Sequence, residues 1–446
     1  MASRKPPRVI VVGAGFAGLT AARELEGAGV EVEIFEARDR IGGRAWTAER
    51  LGRRLELGAT WVHWMQPFIW TEIRRYGQGI HPSPQVESAY WIGDGAVRSG
   101  SEADLDAILY RTHGRVFADS ARFFPYPHDP FAILRDPDTD PEVRRRFLAA
   151  DEAGVLDALR DGTFTREEID LADAYWSAAY QGPTATASPL MAVHWAALSD
   201  HRPALLDDQT LRFKLDGGMH GIYTAIAADL RAEIALNTPV VAVDHDGTSA
   251  SVTLADGTVR AADAVIVTVP LGALKNISFA PVLGAEQRRL IREGGNCVGF
   301  KIWIKVAGRH SMLACAPGRY PISLLRTEYF TEDDATILVG FGSDHTAIDL
   351  RDPASAQQAV EVWRDDLRVL ACDGHDWVAD KWSGQTWATL KSGQFFNGWS
   401  LFRESDSRLR FAGADWATGW NGVVVDGAIE SGITTARSLI TEFRDE

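Results

Sequence analysis

Two clusters near the start of this chain have the residue types and spacing to hold a phosphate-bearing cofactor. In the first, the apolar run Val9 to Val12 leads into Gly13-Ala14-Gly15-Phe16-Ala17-Gly18, and the helix-like segment Leu19 to Glu26 follows. Gly13 permits the tight turn out of a strand, Gly15 lets the backbone approach a pyrophosphate, and Gly18 lets helix and strand pack closely. Phe16 and Ala17 then offer free N–H groups and the positive end of the helix dipole to phosphate. A second strand, Val30 to Phe35, ends in Glu36, where a carboxylate can accept hydrogen bonds from ribose hydroxyls. Strand, glycine turn, helix, strand and acid in that order form a dinucleotide-binding βαβ unit, a stronger signal than a glycine-rich turn alone.

The second cluster is Arg38-Asp39-Arg40-Ile41-Gly42-Gly43-Arg44. By itself Arg44 reads as a solvated loop arginine. The Gly42-Gly43-Arg44 extension resembles the second phosphate-side motif of the two-domain FAD proteins related to glutathione reductase. That resemblance implies FAD rather than NAD, with Arg44 making a charge-assisted phosphate contact.

Other chemistries find little support. No GxSxG nucleophile motif occurs, and no His/Cys/Asp/Glu cluster has metal-ligand spacing, so no metal is expected. Cys297, Cys315 and Cys372 form no CxxC pair and fit a reducing compartment. A net charge of -15 argues against nucleic acid as a partner. No apolar stretch reaches membrane-span length, and the first strand begins too early for a signal peptide, so a cytoplasmic protein off the membrane is expected.

These residues must be positioned by a mixed framework. Residues 1 to about 80 alternate strand and helix signals, about 83 to 214 are richer in helix, and α/β character returns near Leu215. Asp256-Gly257 marks a hairpin, Ala264 to Val269 a buried strand, Glu361 to Leu370 a helix, and Leu409 to Ala412 a strand. Phe300, Ile302 and Ile304 alternate with Lys301, Trp303 and Lys305, which predicts a half-buried strand with its lysines on the polar face. The last helix carries Ile429, Ile433, Ala436 and Ile440 on one face. The expected fold class is α/β (α+β). A discontinuous Rossmann-type FAD-binding domain of the glutathione-reductase kind spans 1–82, 215–285 and 395–446. A mixed sheet-and-helix substrate domain spans 83–214 and 286–394.

With these motifs in hand, the chain resembles the flavin-containing amine oxidases of the monoamine and polyamine oxidase type. It is most like the bacterial nicotine, 6-hydroxynicotine and pseudooxynicotine oxidases. The likeness is densest at 9–44, at Leu55-Glu56-Leu57-Gly58-Ala59-Thr60-Trp61-Val62-His63-Trp64, at 264–270 and at 411–432. It implies cofactor contacts from Ala37, Arg38, Gly43, Gly58, Ala59, Thr60 and Gly413 beside the motif residues. Val240 would bind adenine through its backbone, and Asp415 would sit near the ribityl and pyrophosphate groups. Val424 or Val425 would offer an N–H to the flavin ring, aided by a helix starting near Asp426. Lys301 would hold a water near flavin N5 and help O2 accept electrons.

Trp387, in Gly384-Gln385-Thr386-Trp387, would form one wall of an aromatic cage around the amine. The opposite wall departs from the family: Val423 follows the turn Trp420-Asn421-Gly422 where an aromatic cage residue is usual, and Thr418 stands near where the nicotine-oxidase branch has an asparagine, with Trp420 beside them, which implies a secondary or bulky amine. Trp61 would line the cavity, and His63 is a candidate substrate contact with a structural role as its rival. Thr386 stands where monoamine oxidases attach flavin through cysteine, so FAD is expected to be non-covalent. The reaction implied is hydride transfer from the amine α-carbon to flavin N5, giving an imine, with O2 or a redox protein as acceptor and H2O2 formed from O2. An L-amino acid oxidase remains the alternative, with Arg98, Arg111 or Arg122 to hold a carboxylate. A non-catalytic flavin-binding protein is the different-class rival. The oligomeric state stays open, with a homodimer among the options.

Overall fold

The computed structural model describes residues 5–403, 408–420 and 422–446. The glycine turn opens from a five-stranded parallel sheet ordered Ile234–Ala235, Glu31–Phe35, Arg8–Val12, Ala264–Val267 and Leu409–Phe411. Its strands therefore come from the beginning, middle and end of the chain. The helices Phe16–Gly27, Gly218–Ala228 and Val425–Asp445 bury one face of it through Leu19, Ile222, Ile429 and Leu439. A four-stranded sheet containing Val240–His245 and Ala250–Leu254 covers the other, packing Val243 and Val252 towards Ile10 and Val265. Strands buried on both faces are expected to be runs of Val and Ile, as Val9 to Val12 and Ala264 to Val267 are.

A second, seven-stranded sheet runs Val369–Gly374, Phe300–Ala307, Ala335–Gly342, Leu324–Phe330, Met312–Cys315, Ser88–Gly93 and Ala96–Gly100. All its pairs are antiparallel except Met312–Cys315 with Ser88–Gly93. Helices from 102 to 211 pack beside it. Helix Arg166–Tyr180 begins at a capping box, with the Thr165 hydroxyl and the Glu168 carboxylate each accepting from the other's backbone N–H.

Two expectations are corrected. The segment Phe300–Ala307 is not half-buried. Ile302 and Ile304 join a core on one face of the sheet, while Trp303 joins another core on the opposite face, so Lys301 is buried as well. Alternation of residue type cannot reveal that both faces are covered. Glu361 to Leu370 is also not a helix. The helix is Pro353–Glu361, started by Pro353 and by the Asp352 carboxylate accepting from the Ala354 and Ser355 N–H groups. Val369–Gly374 is instead recruited as a strand against Phe300–Ala307. Among the described residues no helix is long and apolar enough to cross a membrane.

Candidate active site

One continuous cavity, about 2180 Å³ including its open mouth, runs from the glycine turn to the helices of 166–211. At the first end, Gly13 leaves the strand at φ +106°, in the left-handed region. Gly15 is the N-cap of helix Phe16–Gly27 and supplies no side-chain cap, so the N–H groups of the first turn, where Phe16 and Ala17 border the cavity, stay available. Gly15 and Gly43 face each other: a Cβ on Gly43 would stand 3.2 Å from the Gly15 Cα. Two bare backbones thus meet to form a cradle on which a pyrophosphate can lie. Gly18 lies behind the cavity wall, where a Cβ would come within 2.0 Å of the Gly13 carbonyl.

Glu36 borders the cavity, with Oε2 accepting from Ala14 N–H at 2.8 Å and Oε1 from Arg38 N–H at 2.9 Å. Ala37, Arg38, Gly43, Arg44, Gly58, Ala59, Thr60, Val240 and Gly413 border it too. The Arg38 guanidinium, however, pairs with Asp380 at 2.9 Å and with Ser383 Oγ at 3.0 Å. Arg44 binds the Asp415 carboxylate and donates to the Thr386 carbonyl at 3.0 Å. Asp415 itself does not reach the cavity surface. Its second oxygen accepts from Leu271 N–H at 3.0 Å and Gln385 Nε2 at 2.9 Å, so it acts as the buried support of Arg44.

A second helix N-terminus borders the cavity. Helix Val425–Asp445 has Val424 as N-cap with no side-chain cap, and Val424, Val425 and Ala428 line the wall. Its Asp426 turns away, accepting from Phe68 and Ile69 N–H at 2.7 and 2.8 Å. Ala388 N–H donates to the Gly422 carbonyl at 3.0 Å, tying the segment after Trp387 to the valine run. Asn421, in the turn before that run, lies outside the described residues.

Lys301 projects from the second sheet onto the cavity wall. Nζ donates to the carbonyls of Glu56 and Gly58, both at 2.9 Å, and to Thr60 Oγ1. Those three acceptors match the three donors of an ammonium, so a water enters only in exchange for one of them. The rings of Trp61 and Trp303 flank Nζ, their centroids at 5.0 and 4.8 Å. Burial lowers the Lys301 pKa to about 7, while the Glu56 carboxylate pulls it back up. Burial also raises Glu56, whose oxygens accept from Thr47 Oγ1 and Met219 N–H.

Trp387, Phe341 and Trp61 make an aromatic wall. The Phe341 ring lies 5.8 Å from Trp387 and 6.0 Å from Trp61, and Trp387 Nε1 donates to the Ala179 carbonyl at 3.0 Å. Trp420 and Val423 also border the cavity.

Two expected substrate contacts are corrected. His63 is buried off the cavity. Its Nε2 pairs with Asp208 Oδ2 at 2.9 Å, its Nδ1 accepts from Met65 N–H at 3.1 Å, and burial lowers its pKa. Thr418 is likewise turned away, its hydroxyl and N–H both bound to Glu430 Oε1. Reading the sequence missed the far wall: Tyr175, Trp195, Asp207 and Thr210. Their helical spacing reads only as core, and nothing local marks which turn faces a cavity. Among the described residues no group of three or more His, Cys, Asp or Glu is placed to hold a metal ion.

Comparison with known proteins agrees with this geometry. The family described as flavin containing amine oxidoreductase matches residues 16–440. A pseudooxynicotine dehydrogenase from Pseudomonas sp is 30% identical over 430 residues, covering 95% of this chain and 84% of that protein. A nicotine dehydrogenase from Pseudomonas putida is 31% identical over 439 residues, covering 97% and 88%. A putrescine oxidase solved with putrescine bound shares the fold, with a TM-score of 0.82 at 22% identity over 98% of this chain and 99% of that one. The likeness spans nearly the whole chain, which belongs to the flavin-containing amine oxidoreductase family and is an FAD-dependent amine oxidase.

Proposed function

We propose that this enzyme oxidises a secondary or otherwise bulky amine to an imine, with Trp387 and Lys301 as its catalytic residues. The observation that carries the reading is the continuity of the cavity: the Gly15–Gly43 cradle and the wall holding Lys301, Trp61 and Trp387 border one space. FAD, when bound, would supply a hydride acceptor at its N5, with O2 (giving H2O2) or a redox protein as the final electron acceptor. The cradle, Glu36 and the two uncapped helix ends hold its phosphates, ribose and ring. Arg44, braced by Asp415, sets a positive charge beside the phosphates. Among the described residues, none that borders the cavity is a cysteine or histidine, and Thr386 is one of those residues, which supports non-covalent attachment.

Trp387 presents a face that orients the amine, its indole held by the Ala179 carbonyl. Val423, Val424 and Val425, each smaller than an aromatic ring, border the same space as that wall. Both named dehydrogenase relatives, of nicotine and of pseudooxynicotine, fit a bulky amine. Lys301 contributes a fixed positive charge where negative charge develops on oxygen. We assign no general base, because an amine that arrives neutral needs none. Within the pieces 1–82, 215–285 and 395–446 the chain holds the cofactor, and the remainder closes over the amine.

Among the described residues, the aromatic end offers a substrate carboxylate no uncommitted cation, since Lys301 already donates to Glu56, Gly58 and Thr60. Arg98, Arg111 and Arg122 lie off the cavity, paired with Glu167, Glu168 and Asp119. That weighs against an amino-acid substrate. The test is anaerobic stopped-flow absorbance of the yellow holoenzyme with cyclic amines, N-methylalkylamines, primary arylalkylamines and L-amino acids. Fast bleaching of the flavin band by secondary amines is expected. Bleaching by amino acids alone would overturn the reading.

A further inference from the structure

Among the described residues, the aromatic end of the cavity is bordered by one acidic residue, Asp207. It sits on helix Pro203–Leu211, which turns Leu206, Asp207, Thr210 and Leu211 to the cavity at the i, i+1, i+4, i+5 spacing of one helix face. Tyr175 Oη donates to Asp207 Oδ1 at 2.7 Å, and Tyr110 Oη donates to Oδ2 at 3.1 Å. Each oxygen keeps a further lone pair, and Asp207 borders the cavity. Burial pushes this carboxyl up to about 7, and repulsion from Asp106 and Glu102 adds to the rise. A carboxylate amid Trp195, Leu206 and Leu324 is costly unless a positive charge meets it. Arg38, Arg44 and Lys301, the cations on the cavity wall, are engaged elsewhere.

Asp207 and the aromatic wall are tied to successive turns of helix Arg166–Tyr180. The Ala179 carbonyl receives the Trp387 indole, and Tyr175, whose hydroxyl binds Asp207, stands one turn earlier, about 6 Å along the axis.

Resting on the amine-oxidase reading above, we propose that Asp207 anchors a second, cationic nitrogen of the substrate. The amine oxidised here carries a protonated amino group remote from the carbon that reacts. The reacting nitrogen is neutral, the distal one is charged, and Asp207 distinguishes the two ends. The chain's net charge of -15 also favours the approach of such cations.

The test pairs N-methyl-1,4-diaminobutane, N-methyl-1,5-diaminopentane and N-methyl-1,6-diaminohexane with N-methylalkylamines of equal length. Flavin reduction and its concentration dependence are followed anaerobically in wild type, Asp207→Asn and Asp207→Glu. Asparagine keeps an acceptor oxygen for one tyrosine hydroxyl, presents an NH2 donor that the other hydroxyl can accept, and loses the charge; an unchanged FAD content confirms the variant is folded. The wild type is expected to favour the best diamine over its matched monoamine at least tenfold in kcat/KM. That ratio should collapse to within twofold in Asp207→Asn and largely survive in Asp207→Glu. A wild type without the preference, or an Asp207→Asn enzyme that keeps it, overturns the proposal.

Binding is read separately, by perturbation of the oxidised flavin spectrum with 1,6-diaminohexane and with hexylamine. If no amine reduces the flavin, the oxidase reading of the substrate fails, and this titration still decides Asp207. A tenfold tighter diamine that loses its advantage in Asp207→Asn supports the anchor, and equal affinities refute it.

Discussion

Replacing Gly15 and Gly18 separately by alanine divides cofactor binding from folding within one motif. At Gly15 the backbone is at φ -77°, which alanine adopts freely, and a new Cβ meets nothing nearer than Gly43 Cα at 3.7 Å. The apoprotein therefore loses only the difference between glycine and alanine at an N-cap, about 0.5–1 kcal/mol. The same methyl stands in the cradle and holds a phosphate off the first N–H groups of the helix. Two charge-assisted hydrogen bonds lost at about 1.5–3 kcal/mol each weaken FAD binding by roughly 10²- to 10⁴-fold. At Gly18 the added Cβ would lie 2.0 Å from the Gly13 carbonyl, a backbone atom that cannot swing aside. The helix must move away from its strand, at the upper end of the about 1–3 kcal/mol that overpacking costs, or beyond it. The assays are titration of apoprotein with FAD by flavin fluorescence quenching and thermal melting of the apoprotein. Gly15→Ala should keep its melting temperature within a degree or two and lose FAD, whereas Gly18→Ala should melt several degrees lower. Unchanged FAD affinity in Gly15→Ala would refute the cradle, and an unaltered melt of Gly18→Ala would refute the close helix–strand contact.

Lys301→Met should retain FAD and slow reoxidation of the reduced enzyme by O2 by about tenfold or more, the scale of one electrostatic contact; an unchanged rate would remove its assigned role. The same charge gives reoxidation a pH dependence. Burial lowers the Lys301 pKa, so the cation is present below about 7 and is lost as pH rises through it. A rate that climbs with pH instead would contradict the assignment. Trp387→Ala should keep FAD and slow anaerobic flavin reduction by about 10- to 100-fold through lost orientation, with Trp387→Phe between it and wild type. Equal reduction rates would make the tryptophan a structural residue.

The cofactor end of the cavity was legible because its geometry is local. Strand, glycine turn, helix and Glu36 lie within residues 9–36, and each glycine's requirement can be stated from backbone sterics alone. Val9 to Val12 and Ala264 to Val267 announce buried parallel strands by composition. Phe300 to Lys305 misled, because residue alternation reports the period of a strand and not what covers its second face. The Glu361 to Leu370 segment misled because recruitment of Val369–Gly374 as a strand depends on a partner 63 to 72 residues away in the chain, from Val306 with Val369 to Ile302 with Gly374.

The amine end was decided by packing. Asp207 and Asp208 are neighbours of the same type, and nothing in the sequence separates them. A step of about 100° around the helix turns Asp207 to the cavity and its tyrosines, and turns Asp208 to His63. His63, which the sequence put forward for substrate, is thereby held by Asp208 away from the cavity. Asp207, which the sequence passed over, takes the exposed place. Residue type and spacing determine which groups can do chemistry, whereas rotation of a helix against its neighbours determines which of them meet the substrate.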